Sequence, residues 1–125
     1  MKTIKQKHFI KATPEEVFTA LTNPFTIELW SGYPAEMSTE PGSEFTLFEG
    51  EIMGKNLEFK TNNLIKQHWY FEGEPLESIV TITLKPEKNN TVIELLHENV
   101  PDEVYDEMEE GWKKIYFGSL KRFYK

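Results

Sequence analysis

The sequence predicts an α+β domain, a curved antiparallel sheet of about six strands wrapped around a long C-terminal helix, with two short helices after the first strand. Three observations predict it. Residues 101–124 carry one broad apolar stripe at helical spacing. Residues 43–98 read as a run of strands punctuated by turn residues. A sharp helix start, Thr13-Pro14-Glu15-Glu16, follows directly on the first strand.

Thr3 to Lys11 reads as the first strand, with Ile4, His8 and Ile10 on one face. Thr13 can cap the next helix, Pro14 suits its first position, and Glu16 closes a capping box. Val17, Phe18, Ala20 and Leu21 form the buried side of this helix of about two turns. Asn23-Pro24 interrupts it, because the residue before proline avoids the helical region. Phe25 to Trp30 forms a second short helix, and residues 31–42 hold Gly32, Pro34 and Pro41-Gly42 and read as irregular.

Glu44–Phe48 and Glu51–Met53 then pair across a tight turn at Glu49-Gly50. Leu57–Lys60 extends the second strand, with Gly54 as a bulge or sharp bend. Leu64–Phe71 places Ile65, Trp69 and Phe71 on one side. Glu77–Lys85 places Val80, Ile82 and Leu84 opposite Ile79, Thr81 and Thr83. The chain turns through Glu87-Lys88-Asn89-Asn90 and returns as a last strand, Thr91–His97.

From Pro101 to Tyr124 the apolar residues are Val104, Tyr105, Met108, Trp112, Ile115, Tyr116, Leu120, Phe123 and Tyr124, mostly three or four apart. Charge is segregated along the same segment. Residues 98–110 hold seven acids and no base, and residues 113–125 hold five bases and no acid. That order suits the helix dipole. Gly111 and Gly118 each weaken a helix by about 1 kcal/mol relative to Ala, in exchange for close packing, a bend or pocket volume.

Composition narrows the function. The chain is a single domain of 125 residues, with a 38% hydrophobic and 14% aromatic composition that argues against disorder. It has no cysteine, which removes disulfides, thiolate catalysis and cysteine-ligated zinc. The net charge of −7 argues against nucleic-acid binding, which rests on phosphate neutralisation. No apolar run is long enough to span a bilayer. Residues 1–10 contain no signal-peptide core, so the cytoplasm is the expected compartment.

Several strings resemble the domain found at the C-terminus of the activator of heat-shock protein 90 ATPase. Residues 42–54, Gly42-Ser43-Glu44-Phe45-Thr46-Leu47-Phe48-Glu49-Gly50-Glu51-Ile52-Met53-Gly54, are similar to that family's "GG-x-F-x-L-F-x-G-x-V-x-G" hairpin. Ile65 to Trp69 sits where the family has "I-V-x-x-W-R", and Val80 to Leu84 matches its next strand. Val100-Pro101 and residues 111–121 match its "V-P … GW-x-x-Y-F-x-x-I-K" ending. Residues 10–24 are similar to its "A-x-P-E-x-V-F/W-x-A-L-T-D-P" opening. The match runs in order over essentially the whole chain. Two positions depart from it: Ser43 replaces the second hairpin glycine, and Tyr70 replaces the arginine after Trp69. The resemblance implies a helix-grip fold, within a superfamily of steroidogenic-acute-regulatory-type lipid carriers, birch-pollen-allergen-like proteins and polyketide cyclases. It also implies a stand-alone relative lacking the chaperone-binding N-terminal domain of the eukaryotic activator.

Two kinds of partner follow as expectations. One is a small hydrophobic ligand held between sheet and helix, with Trp30, Phe45, Trp69, Phe71, Trp112 and Tyr116 as lining candidates against an ordinary aromatic core. The other is a heat-shock protein 90 type chaperone, docked through Lys113, Lys114, Lys121 and Arg122. Lys2, Lys5, Lys7 and Lys11 on the first strand add either solvated charge or a patch for an acidic partner. No cofactor, metal site or catalytic residue is expected. His8, His68 and His97 lie far apart on separate strands and read as half-buried or surface residues. Glu94 shares a face with Val92 and Leu96: turned outward it is a solvated strand residue, turned inward it is a candidate general base for cyclase-like chemistry.

Overall fold

The computed structural model describes residues 1–125. A six-stranded, wholly antiparallel sheet curves around the C-terminal helix. Its strands are β1 (Lys2–Ile10), β2 (Glu44–Leu47), β3 (Ile52–Lys60), β4 (Leu64–Trp69), β5 (Ser78–Glu87) and β6 (Asn90–Val100), in the spatial order β1-β6-β5-β4-β3-β2. Sequential strands are neighbours except for β1, which closes on β6 with His8 opposite Ile93. No helix is long and apolar enough to cross a membrane.

The helices after β1 form where their caps dictate. In α1 (Pro14–Thr22), the Glu16 amide donates to Thr13 Oγ1 at 3.2 Å and the Thr13 amide donates to Glu16 Oε1 at 3.1 Å, a complete capping box. Asn23 ends α1 and caps α2 (Pro24–Ser31), accepting from the Phe25 amide at 2.9 Å. Gly32 then stops α2 with a left-handed φ of 85°.

Strand alternation decides what faces the helix. Ser78, Val80, Ile82 and Leu84 of β5 point inward, as do Thr91, Ile93, Leu95 and His97 of β6. Glu94 therefore points outward. It pairs with Lys85 at 2.7 Å, and that hydrogen bond holds its carboxyl below the usual range. The reading of Glu94 as a buried general base is set aside on that geometry.

Three local expectations are corrected. The connection of β2 to β3 is a four-residue loop, Phe48–Glu51, in which Phe48, Glu49 and Gly50 all have positive φ (53°, 56° and 86°). The bulge of β3 falls between Asn56 and Glu58 rather than at Gly54. Gly54 is needed for another reason: a side chain there would run into the His68 carbonyl oxygen and the Phe45 ring. β4 ends at Trp69, so Phe71 lies beyond the sheet.

The C-terminal segment is a single helical rod with a change of pitch. After a short 3₁₀ turn at Asp102–Val104, α3 (Tyr105–Gly111) runs into a π-helical segment, Trp112–Tyr116, and then α4 (Phe117–Phe123). Within the π turn the Phe117 amide donates to the Trp112 carbonyl, five residues back. The extra residue shifts the buried stripe. Trp112, Tyr116, Phe117 and Leu120 are buried, whereas Ile115 is 57% exposed and Phe123 is 42% exposed. Regular α spacing buries Ile115 and misses Phe117. Gly118 sits against the turn, where a β-carbon would lie 2.9 Å from the Lys113 carbonyl oxygen.

Candidate functional site

The sheet presses its polar inward residues against the helix, and each finds a partner. His97 is fully buried under Trp112, whose indole N–H donates to His97 Nδ1 at 3.0 Å. That leaves the proton on Nε2, which donates to Ser78 Oγ at 2.8 Å, while the Ser78 hydroxyl donates to the Glu98 carbonyl at 3.2 Å. Burial drives the His97 pKa down to about 4. A second chain runs from Trp69, whose indole donates to Gln67 Oε1 at 2.9 Å; Gln67 in turn donates to Asn56 Oδ1 at 3.0 Å, and Asn56 to Ser43 Oγ at 3.1 Å. Ser43, at the position of a family glycine, thus anchors this network.

His8 is also buried, beside the Phe117 ring at 4.6 Å. Lys121 Nζ donates to His8 Nδ1 at 2.9 Å, so the His8 proton is on Nε2 and donates to Gln6 Oε1 at 2.7 Å. Burial first, then Lys121 and Lys113, lower its pKa to about 4. The expectation that His8 and His97 are half-buried or surface residues is corrected: strand parity turns both inward.

The chains anchored on Trp112 and Trp69 hold two of the rings that line an open cleft of about 780 Å³ between the β2–β3 loop and the C-terminal rod. Phe48, Trp69, Trp112 and Tyr116 make its aromatic wall. Trp69 and Trp112 stack at 4.6 Å, and Trp112 meets Tyr116 at 4.7 Å. Phe48 borders the cleft from a left-handed backbone, a conformation that costs a non-glycine residue roughly 1–2 kcal/mol. Every fully enclosed side-chain nitrogen and oxygen is hydrogen-bonded. The Tyr116 hydroxyl, on the cleft wall of a residue only 4% exposed, has no protein partner. Burial raises its pKa, so it remains a neutral phenol.

Of the six lining candidates, Trp69, Trp112 and Tyr116 border this cleft. Trp30 lies behind it, donating to the Ala20 carbonyl at 2.7 Å and touching Tyr116 at 5.2 Å. Phe45 is in the core against Gly54, and Phe71 packs half-buried near His97 at 6.1 Å. The sequence reading misses Phe48, Tyr33, Met108 and the acids Glu49, Glu51 and Glu107. Gly111 does line the cleft, and a β-carbon there would meet nothing within 4 Å, so this glycine supplies cleft volume.

The docking candidates are exposed but unequal. Lys114 is held by Glu110 at 2.8 Å, Lys121 reaches His8, and Arg122 donates to Ser119 Oγ at 3.1 Å. Lys121 also carries the basic end of the rod onto β1. The N-terminal amine is 3.0 Å from Asp102, at the other end of the rod.

Residues 11–125 match the family model described as activator of Hsp90 ATPase homolog 1-like protein. The chain is 27% identical over 123 residues to an activator of 90 kDa heat shock protein ATPase homolog from Dictyostelium discoideum, covering 96% of this chain and 32% of the relative. It is 29% identical over 111 residues to homolog 2 of that activator from Mus musculus, covering 87% and 34%. The chain thus spans about a third of the length of the curated relatives it matches. Among solved structures, an HSP90 activator from Plasmodium falciparum superposes with a TM-score of 0.89 at 25% identity, covering 98% of this chain and 96% of that one. CalU16 from Micromonospora echinospora superposes with a TM-score of 0.83 at 26% identity, covering 98% and 76%.

Proposed function

The chain belongs to the activator of Hsp90 ATPase homolog 1-like family, and from that premise we propose that it is a binding module whose aromatic cleft holds a small apolar ligand. The observation that carries this is the cleft itself. About 780 Å³ of space is bordered by stacked indoles, a strained phenylalanine and a phenol without a protein partner. Pockets of this size, apolar with a few polar groups, suit small molecules. Strain at Phe48 is of the kind that folds retain at working sites.

The test is a titration of tryptophan fluorescence with octanol, since Trp69 and Trp112 both face the cleft. A saturable change is expected in the native protein. Gly111→Leu fills the cleft from its open side and is expected to weaken binding at least tenfold. A linear, unsaturable response in the native protein would overturn the reading.

A second reading is that the domain modulates a heat-shock protein 90 type chaperone. It is favoured by the Plasmodium structure, which the chain covers almost entirely and which is described as an HSP90 activator. Lys113 and Arg122 then belong to the docking face. Addition of the protein is expected to raise the cognate chaperone's ATPase rate, and Lys113→Glu with Arg122→Glu to reduce that effect. An unchanged rate would sink this reading and leave the cleft untouched.

A further inference from the structure

Glu49, Glu51 and Glu107 line the mouth of the aromatic cleft, and no Lys, Arg or His lines it. They come from two elements remote in sequence, the β2–β3 loop and α3. None is in an ion pair; the ion pairs of the protein engage Asp102, Glu94 and Glu110. The rim therefore presents three carboxylates without an ion-pair partner beside an aromatic wall that carries no positive charge. Tyr116 is only 4% exposed, yet its oxygen has no protein partner; because every fully enclosed side-chain oxygen is hydrogen-bonded, this one keeps contact with the cleft and is free to accept a hydrogen bond. The net charge of −7 adds a long-range field of the same sign.

These groups favour one kind of occupant. A cation placed among them gains carboxylate attraction and a charge-assisted hydrogen bond to Tyr116. A neutral molecule of the same shape gains burial and a hydrogen bond without the attraction between opposite charges, and an anion meets repulsion. Resting on the reading of the cleft as a ligand site, we propose that it selects a small organic cation, an ammonium group on an apolar body. The ammonium lies between the acidic rim and the Tyr116 oxygen, and the apolar body lies against Trp69 and Trp112.

Three probes with the same tail and different heads test this: octylammonium, octanol and octanoate, each titrated against tryptophan fluorescence below its micelle concentration. Octylammonium is expected to bind about tenfold more tightly than octanol, with octanoate weakest. Added salt is expected to weaken octylammonium binding and to change octanol binding little. In the variant Glu49→Gln/Glu51→Gln/Glu107→Gln, whose changes are all on exposed residues, the ratio of octylammonium to octanol affinity is expected to fall towards one. Tyr116→Phe is expected to cost octylammonium about fivefold. Near-UV circular dichroism confirms that each variant is folded. Equal affinity for octylammonium and octanol, or tighter binding of octanoate, overturns the cation selectivity while leaving the cleft a ligand site. No saturable response to any of the three overturns both.

Discussion

His97 and His8 are the two residues at which pH reaches the interior. Each is buried with Nδ1 accepting a hydrogen bond, from Trp112 or from Lys121, so a second proton has no room on that nitrogen. In the unfolded chain each imidazole takes a proton near pH 6.5; in the fold each resists until about pH 4. The contribution to stability is therefore complete above pH 6.5, declines as pH falls, and is gone at about pH 4. For His97 the difference amounts to about 3 kcal/mol. Urea unfolding at pH 7.5 and at pH 4.5 is expected to show a loss of this order, and the His97 imidazole NMR signals are expected to stay in the neutral form at pH 5.5. Titration of His97 near 6.5 would show that the Trp112–His97–Ser78 chain does not form. Glycines give a second, opposed pair of predictions. Gly111→Ala removes a helix-weakening residue into open space and is expected to stabilise by about 1 kcal/mol in thermal unfolding. Gly54→Ala drives a methyl group into the His68 carbonyl and the Phe45 ring and is expected to cost about 3 kcal/mol.

The C-terminal rod behaves as a regular helix with one residue too many. Trp112, Tyr116, Phe117 and Leu120 are spaced by four, one and three, and all are buried. Removing one residue between Trp112 and Tyr116 turns these intervals into three, one and three, the spacing of a regular α-helical face. Deleting Lys114, an exposed residue of the π turn, is thus expected to keep the fold and leave the melting temperature within a few degrees. Deleting Ser119, where no spare residue exists, is expected to rotate Leu120 out of the core and abolish cooperative unfolding. Most of the rod is legible in sequence: its extent, its dipole-matched charges and the burial of Trp112, Tyr116 and Leu120. The π turn is not. A periodicity reading assumes one pitch along the whole segment, so it assigns Ile115 to the core and overlooks Phe117. Only contact with His8, Trp112 and the sheet shows that Phe117 is inside.

At the scale of the whole molecule, a ligand in the cleft and the fold are linked by mass action. A ligand that binds only the folded chain, present at a hundred times its dissociation constant, adds about 2.7 kcal/mol to stability. In calorimetry of the native protein with octylammonium this is expected to raise the melting temperature by roughly 5–10 °C, and in Gly111→Leu by much less. The family and the order of elements are readable from the chain alone because they are written in local signals. Capping boxes, prolines, glycines and strand alternation act over a few residues, and the family strings run in order along the chain. The same locality explains why Glu94, on an alternating strand whose other face is apolar, is best read as solvated. The cleft is a different case. Its wall joins Phe48 and Glu51 from a loop, Trp69 from β4, and Glu107, Gly111 and Tyr116 from the rod. Sequence can nominate Trp69, Trp112 and Tyr116 as aromatic and inward, but it cannot separate them from Trp30 and Phe45, which are equally aromatic and equally inward. What this sequence determines by itself is the set of elements, their faces and the family. What only the tertiary structure decides is which buried aromatics border open space, which acids ring it, and which histidines are sealed. Those properties depend on where distant segments stop touching, and local chemistry cannot encode the gap between them.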